Sequence, residues 1–102
     1  MILYNVTINV DDEIIDEWLV WMKKTHLPEV MATGKFISYE MYKIQNHNPM
    51  DLSNNYSVQY YANSLLEYED YLENYAPALK QKTIEKYGEQ VNAFRTLLEK
   101  IA

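Results

Sequence analysis

Over the first ten residues apolar and mixed positions alternate: Ile2, Tyr4, Val6, Ile8 and Val10 against Leu3, Asn5, Thr7 and Asn9. A period of two puts these sets on opposite faces of a strand, one of them strongly apolar. Asp11-Asp12-Glu13 follows, acidic groups suited to a helix cap and to the positive end of a helix dipole. Ile15, Trp18, Leu19, Met22 and His26 recur at three- and four-residue spacing, which predicts a helix from about residue 12 to near 25. Lys23 and Lys24 suit its last turn, and Pro28 biases Leu27 away from helical geometry. Residues 29–32 read as a further helical turn, stopped by Thr33-Gly34.

Residues 35–46 predict a long strand, with Ile37, Tyr39 and Met41 on one side and Phe36, Ser38, Glu40, Tyr42 and Ile44 on the other. The stretch 45–55 (Q-N-H-N-P-M-D-L-S-N-N) is rich in turn-forming residues and predicts an exposed loop between antiparallel strands. Residues 56–62 alternate Tyr56, Val58 and Tyr60 with Ser57, Gln59 and Tyr61, a third strand. Ser64 and Glu67 have capping-box spacing and open a helix with Leu65, Tyr68, Leu72 and Tyr75 on one stripe. Pro77 either ends that helix or begins another in its first turn. Residues 78–87 read as helix with Gly88 as the stop. Residues 91–101 predict a fourth strand, with Phe94, Thr96 and Leu98 on one face and Val91, Ala93, Arg95 and Leu97 on the other.

The order is β-α-β-β-α-β with an extra helix before the last strand, the α+β, ferredoxin-like arrangement. Right-handed crossovers put the helices on one face of a four-stranded antiparallel sheet. The other face, with Asn5, Thr7, Gln59, Tyr61, Phe94 and Leu98, is too apolar for water and too polar for a dry core. Such a face calls for a partner or a ligand, and a homodimer with two sheets face to face, a dimeric α/β-barrel-type assembly, is expected.

Length and composition narrow the function classes. At 102 residues a single domain spanning 1–102 is expected, with no repeat or linker. Absence of cysteine removes disulfides, thiolate catalysis and Cys-based zinc sites. A net charge of −6 opposes nucleic acid and anionic membranes, so neither is expected as a partner. No leader pattern or membrane-length apolar run is present, and the default expectation is a cytoplasmic protein. Ten tyrosines point either to a core built with tyrosine or to a surface that meets a partner or ligand.

Several segments then carry a resemblance: M-I-L-Y-N-V-T-I-N-V-D at the start, W-L-V-W-M-K-K-T-H-L-P-E-V-M-A-T-G-K-F, Y-S-V-Q-Y-Y-A-N-S, Y-A-P-A-L, and F-R-T-L-L-E near the end. Together, over nearly the whole chain, they resemble a bacterial family called domain of unknown function 4286. That resemblance implies a ferredoxin-like fold and no established activity. More distantly, the architecture and the helix-His-Pro-Gly-strand passage resemble the dimeric α/β-barrel group. This group includes cofactor-free antibiotic-biosynthesis monooxygenases, muconolactone-isomerase-like proteins and stress-responsive barrel proteins. Fold does not fix function, and no catalytic residue carries over from the group.

His26 is the sharpest candidate for chemistry, because an imidazole titrates near neutral pH and can give or take a proton. It can equally cap a carbonyl or pin the helix-to-strand turn, and no second acid-base group accompanies it. Trp18 and Trp21 could wall a pocket for a flat ligand, or belong to the core; Trp21 departs from the main apolar stripe. Asn5, Gln59, Tyr61 and Arg95 could orient a carboxylate or carbonyl, or form cross-strand and inter-subunit hydrogen bonds. Arg95 lies amid an apolar strand and demands an anionic partner if buried. His47 and Asp51 match no metal-ligand spacing, and no metal or cofactor is expected. Glu67, Glu69, Asp70 and Glu73 read as a solvated acidic helix face, and Lys80, Lys82 and Lys86 as a small basic patch. These residues predict a small organic ligand in a cleft between the first helix and the sheet. The alternatives are a cofactor-free isomerase or monooxygenase-like enzyme with His26 as general acid/base, and a purely structural or assembly domain.

Overall fold

In a computed structural model describing residues 1–102, four strands form one antiparallel sheet: β1 (Ile2–Val10), β2 (Ser38–Lys43), β3 (Asn55–Ala62) and β4 (Val91–Glu99), in the order β2-β3-β1-β4. β1 is central and pairs along its length with β3 and β4. Register then assigns the faces, because residues directly opposite share one. Tyr4 lies opposite Tyr60 and Leu97, Val6 opposite Val58 and Arg95, and Ile8 opposite Tyr56 and Ala93. This face meets the helices and supplies most of the core, which contains no buried polar or charged residue other than tyrosine. Leu3 with Tyr61 and Leu98, Asn5 with Gln59 and Thr96, and Thr7 with Ser57 and Phe94 lie on the opposite, uncovered face. The fold is the ferredoxin-like α+β arrangement that the pattern predicts.

The first helical segment departs from expectation. It does not stop near residue 25. A 3-10 turn (Asp12–Ile14) leads into α1 (Ile15–Trp21), a π-helical turn (Met22–His26) follows, and α2 (Leu27–Ala32) continues from it. Leu27 stays helical at φ −60° and ψ −44°, despite Pro28, and donates its N–H to the Met22 carbonyl five residues back. The wider turn falls where proline would crowd and disconnect an α-helix. It also preserves phase. The buried residues Trp18, Met22, Leu27 and Val30 are spaced by four, five and three. A five-residue step would rotate a side chain about 140° off the stripe in an α-helix, but the π turn brings it back. Gly34, at φ 74°, then turns the chain toward β2.

β2 is shorter than predicted because Phe36 turns inward, 4.7 Å from the Tyr71 ring and 5.1 Å from Tyr60, so the chain joins the sheet only after it. β4 ends at Glu99 because its neighbour β1 begins at Ile2. α3 (Leu65–Asn74) opens on Ser64, whose Oγ accepts the Glu67 N–H at 3.3 Å. Its inward stripe is Tyr68, Tyr71 and Leu72, while Leu65 is exposed. α4 (Ala76–Tyr87) restarts with Pro77 in its first turn and ends at Gly88, at φ 57°. Five of the ten tyrosines (Tyr4, Tyr56, Tyr60, Tyr71 and Tyr87) are buried, so half of the enrichment is core.

Candidate functional site

Under the helices the layer is filled unevenly. On the β3 side Tyr4, Phe36, Tyr60, Tyr68 and Tyr71 make a continuous aromatic cluster with ring centroids 4.7–6.1 Å apart. On the β4 side the inward positions are Ala93, too short to reach α4, and Arg95, whose chain runs sideways to Tyr4. The result is a cavity of about 240 Å³ between the first helical segment, α4, β1 and β4. Trp18, Met22 and His26 wall it from the first helical segment; Leu79, Lys80, Thr83 and Ile84 wall it from α4. Lys80, Ile84 and Arg95 are exposed and mark its mouth.

The residues singled out from sequence divide between the two faces. Trp18, His26 and Arg95 come together around the cavity. Trp18 is buried with its ring 5.0 Å from Tyr56. Trp21 stands behind His26, stacked on it at 5.0 Å, and meets Tyr87 edge-on at 5.4 Å. It therefore positions the imidazole and does not itself line the cavity. Asn5, Gln59 and Tyr61 lie on the far side of the sheet. There Ser57 Oγ donates to Asn5 Oδ1 at 2.6 Å and Asn5 Nδ2 donates to Thr7 Oγ1 at 3.0 Å, a cross-strand ladder.

His26 Nδ1 is buried without a hydrogen-bond partner. Charging the ring would put a second N–H donor there with nothing to accept it. Burial accordingly lowers its pKa from 6.5; nearby Arg95 and Lys82 lower it too, and Glu29 opposes them. Neutral imidazole is the resting form. Arg95 Nε donates to Tyr4 Oη at 3.0 Å. Burial raises the Tyr4 pKa and the guanidinium opposes that rise, so the phenol stays protonated. Burial also pushes Tyr60 and Tyr71 up.

Sequence reasoning missed Tyr4, Lys80 and Thr83. The signal for the α4 pair was present: Leu79, Lys80, Thr83 and Ile84 share one helical stripe. The three lysines do not form a basic patch. Lys82 pairs with Glu29 at 3.1 Å and Lys86 with Glu17 at 3.5 Å, while Lys80 turns to the cavity. The acidic face of α3 is partly engaged: Glu67 and Asp70 hold Lys35 at 3.2 and 2.6 Å. No three His, Asp or Glu side chains converge to hold a metal ion, and no helix is long and apolar enough to cross a membrane.

A family model described as domain of unknown function (DUF4286) matches residues 1–101. No curated protein matches the chain in sequence. Among solved structures, HapK from Hahella chejuensis is similar at a TM-score of 0.71 and 10% identity, over 99% of this chain and 93% of that one. A dimeric ferredoxin-like protein from an uncultured marine organism gives 0.64 at 13% identity, over 95% and 92%. A candidate antibiotic biosynthesis monooxygenase from Deinococcus radiodurans also gives 0.64 at 13%, over 100% and 94%. At such identities these likenesses speak for the fold alone.

Proposed function

We propose, from the premise that the chain belongs to the DUF4286 family, that it binds one small organic molecule between its helical layer and the β1–β4 side of the sheet, and does so as a homodimer. The cavity of about 240 Å³ carries this reading. An open cleft walled mostly by hydrophobic residues leaves apolar surface in contact with water, which a ligand would cover. For the dimer, Phe94 and Leu98 are 64% and 45% exposed on the uncovered face, and a similarly folded protein is described as dimeric.

The test is thermal denaturation across a panel of small organic compounds, with a Thr83→Trp variant whose indole would fill the cavity. Binding at 100 times Kd adds about 2.7 kcal/mol of stability. A saturable rise in Tm that vanishes in the variant is expected. A rise that persists unchanged in Thr83→Trp, or none across the panel, would sink the reading.

One observation favours a second reading, a cofactor-free isomerase or monooxygenase-like enzyme. His26 is neutral at the cavity wall, the form in which an imidazole accepts a proton. A bound carbon acid would then exchange its acidic hydrogen for deuterium in D₂O. His26→Ala should abolish that exchange while keeping binding; undiminished exchange would exclude the role.

A further inference from the structure

We propose that the cavity is built for a flat aromatic carboxylate, its ring against Trp18 and Met22 and its charge between Arg95 and Lys80. This deepens the binding reading above and rests on it.

Charge distribution is the first argument. The chain carries 15 acidic against 9 basic residues, yet no acidic residue lines the cavity, while Arg95 and Lys80 both do. Neither cation has an ion-pair partner in the protein, whereas the other two lysines of α4, Lys82 and Lys86, do. The two also feel each other: burial lowers the Lys80 pKa and the Arg95 charge lowers it further. Two unpaired like charges at one mouth are stabilised by an anion between them.

The donor geometry is the second. Arg95 spends only Nε on Tyr4 Oη, at 3.0 Å. Its two terminal nitrogens remain, a planar fork suited to a planar carboxylate. Tyr4 Oη accepts that bond and its own O–H has no acceptor in the protein, so a third donor faces the same place. No glycine loop or helix N-terminus adds the backbone amides a phosphate would use.

Size and lining are the third. An apolar cavity of about 150 Å³ holds benzene, so about 240 Å³ admits one fused two-ring system. Most of its wall is hydrophobic.

The experiment is calorimetric titration with indole-3-acetate, indole-3-acetamide and tryptamine, which share a ring and differ in charge. The carboxylate is expected to bind at least about tenfold tighter than the amide and to weaken as salt rises. Arg95→Gln and Lys80→Gln should each weaken the carboxylate more than the amide and so remove that preference. Equal binding of carboxylate and amide, or tightest binding by the amine, overturns the anion assignment and leaves the pocket standing. If none of the three binds, this inference falls, while the compound panel above separately decides the pocket reading.

Discussion

His26 couples the cavity to pH. Its folded-state pKa lies below 6.5, mainly through burial, with Arg95 and Lys82 acting in the same direction and Glu29 against them. Between the folded value and 6.5 the unfolded chain binds the proton and the folded chain does not, so stability rises with pH across that window. The contribution is complete above 6.5 and is lost as pH falls toward and through the folded value. Tm should therefore drop more in the native protein than in His26→Gln between about pH 7 and about pH 5; parallel curves would refute this. Trp18, 1% exposed, fills the same wall, and Trp18→Ala should cost about 3–5 kcal/mol in urea unfolding. Both residues were legible in the sequence because helical spacing aims them inward. Tyr4 was not, since what distinguishes it is a hydrogen bond to Arg95, 91 positions away.

At the scale of elements, local signals read well where one face is buried and badly where tertiary packing intervenes. β1 and β3 alternate cleanly because the helices cover one face only. Phe36 broke the alternation predicted for β2, since its ring joins Tyr60 and Tyr71 instead of standing on a strand. Pro28 signals a break only where the helix is a regular α spiral; the π turn at Met22–His26 accommodates it and the helix continues. The Ser64 cap was read correctly and is separately testable: Ser64→Ala should cost about 1 kcal/mol. That corresponds to a fall of about 4–8 °C in Tm for a domain of this size. An unchanged Tm would mean that the Ser64–Glu67 bond contributes nothing.

The molecule as a whole measures 40 × 34 × 19 Å, thick enough for one sheet and one layer of helices and no more. Its uncovered face combines the Asn5–Ser57–Thr7 ladder, already satisfied, with apolar Leu3, Phe94 and Leu98. Static light scattering should report about twice the 12.2 kDa chain mass. Phe94→Glu with Leu98→Glu should halve the observed mass without unfolding the protein, because both side chains are exposed in the single chain. A native protein that scatters as one chain would refute the assembly. This face was visible in the sequence as a mixed strand pattern. The cleft beside the first helix was legible too, but the share of its wall that α4 supplies was not, because Leu79, Lys80, Thr83 and Ile84 lie far along the chain from Trp18, Met22 and His26.

The π turn makes the chain sensitive to length at one place. Insert one residue after Thr25 and Leu27 falls six places from Met22, so Leu27 and Val30 would swing about 100° toward solvent. The imidazole would be carried off its tryptophan by the same rotation. Surface loops such as residues 45–54 can gain or lose a residue without such a penalty. In Met22–His26 the count itself is the constraint, whichever residues supply it.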